Sequence, residues 1–142
     1  MWTRFTERAR KAYFFAQESA IGLKENYVST EHLLLGVFKD PSEQLKFLFV
    51  HSGKAIDDVR TEITNQMPRT APVRKGSEDM ALTPRAKRVI DLAYDEARQM
   101  QTNYLHDFHL FLGLLREGDG LAGQVLNKIG FNLHESREFL NA

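Results

Sequence analysis

Asn26-Tyr-Val-Ser-Thr-Glu-His-Leu-Leu-Leu-Gly36 returns as Asn103-Tyr-Leu-His-Asp-Phe-His-Leu-Phe-Leu-Gly113, an offset of 77 residues. Working outward, the same offset lays residues 6–64 on 83–141 without a gap. Thirteen of those 59 pairs are identical: Thr6/Thr83, Arg8/Arg85, Ala9/Ala86, Ala16/Ala93, Ala20/Ala97, Asn26/Asn103, Tyr27/Tyr104, His32/His109, Leu33/Leu110, Leu35/Leu112, Gly36/Gly113, Gly53/Gly130 and Arg60/Arg137. Average usage of about 6% per residue type would give roughly three or four. Many other pairs keep their character, among them Phe5/Leu82, Val28/Leu105, Val37/Leu114, Ile56/Leu133, Lys39/Arg116 and Asp40/Glu117. Each half therefore folds the same way and buries its apolar face against the other.

The pattern within each half is helical. Phe5, Ala9, Ala12, Ala16, Ala20 and Leu23 fall at steps of three and four, as do Leu82, Ala86, Val89, Ala93, Ala97 and Met100, and neither stretch alternates as a strand does. Thr83 before Pro84 is a helix start, since the hydroxyl accepts from an unpaired amide and proline loses nothing at the first helical position; Thr6 occupies the matching place. A second helix begins near Ser29 or Thr30, and its counterpart near His106 or Asp107; Pro41 and Gly118-Asp-Gly120 end them. A third covers about 43–51 and 121–128, stopped by Gly53 and Gly130, and a fourth 56–65 and 133–140. The expectation is an all-α, eight-helix, pseudo-two-fold bundle of two tandem four-helix repeats, residues 1–66 and 82–142, forming a single domain over 1–142. The connector, 67–81, carries Pro68, Pro72 and Gly76 in a mixed-charge run and reads as an exposed linker.

A chain of 142 residues, 42% hydrophobic, buries a core as one domain, whereas either repeat alone is marginal. Nineteen basic against nineteen acidic residues leave no net charge, and with it no general attraction for nucleic acid or anionic membrane. Without cysteine there are no disulfides, thiol nucleophiles or cysteine metal sites, which fits a reducing cytoplasm. No stretch is apolar and long enough to span a bilayer, and Met1-Trp-Thr-Arg4 runs into helical pattern without a signal-peptide core.

Phe5-Thr-Glu-Arg-Ala with Thr30-Glu-His-Leu-Leu-Leu-Gly, and Leu82-Thr-Pro-Arg-Ala-Lys with His109-Leu-Phe-Leu-Gly-Leu-Leu-Arg-Glu-Gly, resemble the double-repeat N-terminal domain of Clp AAA+ unfoldases, closest to the ClpC type. The resemblance covers nearly the whole chain. It implies a chaperone module of protein quality control and regulated proteolysis. Such a module captures unfolded or phosphoarginine-tagged substrates, or adaptor proteins, for an ATP-driven Clp ring and is not itself catalytic. Phosphoarginine carries an anionic phosphoryl head on a planar guanidinium. Helix N-termini suit the phosphoryl oxygens, and a carboxylate accepts paired hydrogen bonds from the guanidinium. Both elements occur in the first repeat, where Thr6 opens one helix and Glu31 sits in the first turn of the next; the resemblance adds Arg4 and Lys87 as phosphate partners. In the second repeat Thr83 remains, but Phe108 stands where Glu31 would, so the expectation is one phosphoarginine-like site and a degenerate second one. Without the resemblance, Glu31 is an acid favouring the helix dipole.

Other candidates carry less. His106 and His109 flank Asp107 at metal-ligand spacing, but no third ligand accompanies them, and His109 pairs with His32 among leucines as a structural histidine does. Phe14, Phe15, Phe38, Phe47 and Phe49 read mostly as core, although adjacent Phe14 and Phe15 cannot both face inward and one is left for a partner. Neither G-x-x-x-x-G-K-[ST] nor G-x-S-x-G occurs, so no enzyme and no cofactor is expected. Two further functions remain in view. One is a free-standing accessory regulator that docks on a Clp ring. The other is a helical DNA-binding module, which the balanced charge disfavours.

Overall fold

Thr6 and Thr83 each convert an extended chain into a helix. Their hydroxyls accept from the Ala9 and Ala86 amides, both at 3.1 Å, opening α1 (Glu7–Gly22) and α5 (Pro84–Gln99). The computed structural model describes residues 2–67 and 81–142. The expected connector thus lies outside the described residues except at its ends, where Met67 is buried rather than exposed and Ala81 is in a short strand.

The second helices, α2 (Thr30–Lys39) and α6 (Asp107–Glu117), pack on α1 and α5 through the repeated glycines. A methyl group on Gly36 would stand 2.1 Å from the Ala12 carbonyl oxygen, and one on Gly113 2.5 Å from that of Val89. Helix backbones therefore touch in both halves, and the alanines repeated along α1 and α5 are the surface that permits it. The pairs α3 (Glu43–His51) and α4 (Ile56–Gln66), then α7 (Leu121–Ile129) and α8 (Leu133–Leu140), complete two four-helix units. The fold is all-α, with eight α-helices among the described residues.

The repeats share one core. Phe49, Phe111 and Phe131, drawn from both halves, form a triangle of rings with centroids 4.8 to 5.9 Å apart, and Phe38 adds an edge contact to Phe49 at 5.6 Å. In the second repeat the fully buried Glu96 of α5 accepts from Arg137 of α8 at 2.7 and 2.8 Å and from Arg116 of α6 at 2.9 Å. Its neighbour Asp95, hydrogen-bonded by Arg116 and Arg98, is held at a pKa of about 2. Three helices of the second repeat are joined by this network.

One feature departs from the helical reading. Tyr27–Val28 (β1) pairs in parallel with Ala81–Leu82 (β2), and Phe5 faces Leu105 in the matching place. The Thr83 amide donates to Val28 and the Thr6 amide to Leu105, each at 3.0 Å. Two-residue strands are too short to leave an alternating pattern in a sequence.

Replacing Gly36 by alanine forces backbone against backbone and should lower stability by about 2 kcal/mol or more in urea unfolding. Gly22, with open space around its α-carbon, is the control: alanine there should be neutral or stabilise by up to about 1 kcal/mol.

Candidate functional site

The crossed backbone bonds bring the start of each repeat's first helix against the start of the other repeat's second helix. Two grooves result. One, of about 660 Å³, is lined by Ser29, Thr30 and Glu31 of the first repeat and by Thr83, Pro84, Arg85, Asp119, Gly120 and Leu121 of the second, with Gln66 at its edge. The other, of about 410 Å³, holds Thr6, Arg8 and Lys11 with Asp40, Ser42, His106 and Asp107. Glu31 therefore shares a groove with Thr83, and Thr6 with the start of α6. The pairing of Thr6 with Glu31 inside one repeat is not what the fold produces, because α1 meets the start of α6 and not of α2 at its N-terminus. Exposed Arg4 and Lys87 line neither groove; Arg4 gives its carbonyl to the Leu105 amide at 2.8 Å, and Lys87 stands one turn along α5 from Thr83.

Glu31 is half-buried in the first turn of α2 and makes no hydrogen bond or ion pair among the described residues. Opposite it, Pro84 contributes no N–H to the first turn of α5, and the Ala86 amide is taken by Thr83, which leaves the Arg85 amide. Arg85 donates to Glu117 at 2.8 Å, as its repeat mate Arg8 pairs with Asp40 at 3.0 Å. Phe108, at the position of Glu31, is 7% exposed and stacks parallel on His106 with ring centroids 4.9 Å apart. It is packed into the protein and does not line the Thr6 groove.

Two further polar groups hold the grooves and were not singled out as such from sequence. Thr30 Oγ1 accepts from the Ala122 amide at 3.3 Å, and its repeat mate Asp107, 1% exposed, accepts from the Ser42 amide at 2.8 Å. Each second helix thus caps the third helix of the other repeat. Burial pushes the Asp107 carboxyl up, opposed by hydrogen bonds from Ser42 and Phe108 and by Arg8. The signal was present in the repeat alignment, where the two mates are both short side chains able to accept.

The paired histidines are structural in this geometry. His32 Nδ1 accepts from Ser29 N–H at 3.0 Å and His109 Nδ1 from His106 N–H at 2.9 Å, so each ring closes its helix N-terminus and carries its proton on Nε2. His32 Nε2 lies 3.5 Å from Glu25, and His109 Nε2 3.3 Å from Met100 Sδ. Burial, helped by the neighbouring His106, lowers the His109 pKa to about 3; burial also lowers His32. No group of three metal-binding side chains occurs among the described residues. Of the phenylalanines, Phe38 and Phe49 are core, whereas Phe14 and Phe47 are more than half exposed.

The family model of the Clp repeat (R) N-terminal domain matches residues 4–129. The chain belongs to the Clp_N family. It is 38% identical over 138 residues to the negative regulator of genetic competence ClpC/MecB of Bacillus subtilis (strain 168), covering 97% of this chain and 17% of that protein. The N-terminal domain of the chaperone ClpD from Arabidopsis thaliana superposes with a TM-score of 0.72 at 31% identity, over 99% of this chain and 94% of that one. A ClpV N-domain solved in complex with a VipB peptide has the same fold, with a TM-score of 0.76 at 17% identity over 95% and 83% of the two chains. The Clp_N duplication explains why both grooves are built from the same parts. No helix among the described residues is long and apolar enough to cross a membrane.

The buried histidines give this Clp_N domain a pH dependence. Since His109 is neutral when folded and takes up a proton near pH 6.5 when unfolded, its contribution is complete above about pH 6.5 and is lost as pH falls toward 3. The loss is at most about 1.4 kcal/mol per pH unit for one such group. Asp107, raised on folding, acts in the opposite direction at the acid end of this window. Urea midpoints should fall between pH 7 and 5, and His109→Asn should flatten that slope while lowering stability at pH 7.

Proposed function

We propose that this Clp_N domain receives substrates or adaptors for a Clp AAA+ ring, gripping an arginine-bearing side chain in the groove between Glu31 and Thr83. A half-buried carboxylate that makes no hydrogen bond or ion pair among the described residues, opposite a helix N-terminus, is the observation that carries this reading. An acid in a helix's first turn is stabilised by the dipole. Glu31 retains its full acceptor capacity, however, which a guanidinium meets with two parallel hydrogen bonds. Peptide capture by a ClpV N-domain of the same fold supports the class of partner.

Phosphoarginine is the form of ligand that best uses the whole groove. Its guanidinium faces Glu31, while the phosphoryl oxygens reach the Arg85 amide and the positive end of α5; Lys87, one turn beyond Thr83, is exposed and lies outside the groove's lining. Thr6 belongs with the other groove, and Arg4 lies outside both. There Phe108 removes the matching carboxylate, so that groove serves as the weaker or inactive copy. In this reading the domain performs no chemistry; it delivers a tagged chain to a motor.

Calorimetric titration with free phosphoarginine tests the assignment. Wild-type protein should bind with one dominant site, and Glu31→Ala should weaken that binding at least tenfold, the value of one charge-assisted pair. Equal binding by the variant would remove Glu31 from the mechanism.

A further inference from the structure

We infer that His32 and Glu25 form a proton-operated latch at the start of α2: the neutral ring holds residues 29–31 in place, and the charged ring gives up that hold and turns to Glu25. The inference concerns the helix start itself and stands whatever the neighbouring groove binds.

The His32 ring is fully buried, yet its two nitrogens are unequally served. Nδ1 accepts from the Ser29 amide at 3.0 Å, which ties the residue before α2 to the third residue of the helix. Ser29 Oγ lies 2.9 Å from the same nitrogen. Nε2 carries the proton but has no hydrogen-bond partner among the described residues; Glu25 Oε2 stands 3.5 Å away, close enough for an ion pair and too far for a good hydrogen bond. A second proton reverses these roles, because a charged imidazole has two donors and no acceptor. Nε2 is then drawn to the Glu25 carboxylate, and Nδ1 donates to Ser29 Oγ. The Ser29 amide loses its acceptor. The charged ring thus finds a partner in place on each side, and the one contact it must abandon is the one that closes α2.

Glu25, in the turn after α1, and Glu31, on α2 itself, are the charged groups that act on the ring, and both favour its charged form. The other helices packed on α2, namely α4, α5, α6 and α7, bring no charged group to it among the described residues. Burial outweighs the two acids, so the ring is neutral at pH 7 and charges in acid. The second repeat keeps the histidine and lacks the acid. His109 closes α6 by the same bond to Nδ1, from the His106 amide at 2.9 Å, but Thr102 stands in the place of Glu25, and Nε2 lies 3.3 Å from Met100 Sδ. A sulfur brings no opposite charge, and His109 stays neutral down to about pH 3. Falling pH therefore loosens the start of α2 before that of α6, and Ser29, Thr30 and Glu31 are the residues of α2 that line the groove.

Nitrogen-15 NMR of the histidine rings, followed from about pH 7.5 to about pH 4.5 with far-UV circular dichroism as the check on folding, tests the latch. His32 should begin as the Nε2–H tautomer and gain its second proton while the domain is still folded. The Ser29 amide proton should move upfield with the same midpoint as its bond is lost, the Glu31 amide should follow, and the His109 ring should stay neutral. Glu25→Gln should lower the His32 midpoint by about one pH unit, the effect of removing a neighbouring opposite charge, and leave His109 unmoved. A His32 ring that remains neutral until the domain unfolds, or one that charges without moving the Ser29 amide, overturns the latch. An unchanged midpoint in Glu25→Gln overturns the pairing with Glu25 and the latch with it.

Discussion

Two backbone hydrogen bonds, Thr6 N–H to Leu105 and Thr83 N–H to Val28, determine where the grooves of this fold form. They tie each repeat's first helix to the residue that precedes the other repeat's second helix. Thr6 and Thr83 also cap their helices through their hydroxyls, so amide and side chain of the same residue fix both the direction of the helix and its position against the other repeat. Any groove at a helix N-terminus is then necessarily made by two repeats. The shared aromatic core of Phe49, Phe111 and Phe131 keeps those grooves from opening, because separating the halves would expose all three rings.

The helices were legible because the signals that define them are local. Glu43–His51 and Leu133–Leu140 fall where the pattern puts them, Ser42 and Asn132 cap them, and Gly53 and Gly130 take positive φ just past α3 and α7. The equivalence of Glu31 and Phe108 was legible as well, since they stand at matching positions of an ungapped alignment. Their partnership was not. It depends on the contacts of Thr83 with Val28 and of Thr6 with Leu105, which only the three-dimensional crossing of the chain creates, and a repeat in sequence invites the assumption that each copy works by itself. Phe47 shows a second limit: it follows the core residues Leu45 and, by two, precedes Phe49, yet faces solvent because the helix turns 100° per residue.

Some of the differences between the two copies fall at the grooves. Thr30 and Asp107 perform the same task, accepting from a third-helix amide of the other repeat, one with a hydroxyl and one with a carboxylate. The hydroxyl is neutral and its burial needs only the one bond. The carboxylate is buried with a charge that desolvation disfavours, which is why the Asp107 carboxyl is pushed up although it receives hydrogen bonds. The second repeat has therefore placed its acid one position earlier than the first, inside the protein in place of on its surface, and has covered the neighbouring position with a phenyl ring stacked on His106. That change sets a buried acid that joins the repeats where the first repeat has a half-buried one in a groove.

A domain built from two identical subunits could not make this exchange, because each substitution would appear in both grooves. Fusion of the copies in one chain removes that constraint. One groove can then carry a buried acid, with Asp107 holding α3 and Phe108 packed beside it, while the other keeps a half-buried Glu31 in its lining. The Clp_N frame makes the exchange inexpensive: helix packing is set by Gly36 and Gly113, helix starts by Thr6 and Thr83, and the Arg8–Asp40 and Arg85–Glu117 pairs survive in both halves. Some residues that differ, Thr30 and Asp107 among them, still carry the same structural task by different chemistry, so the frame survives the exchange.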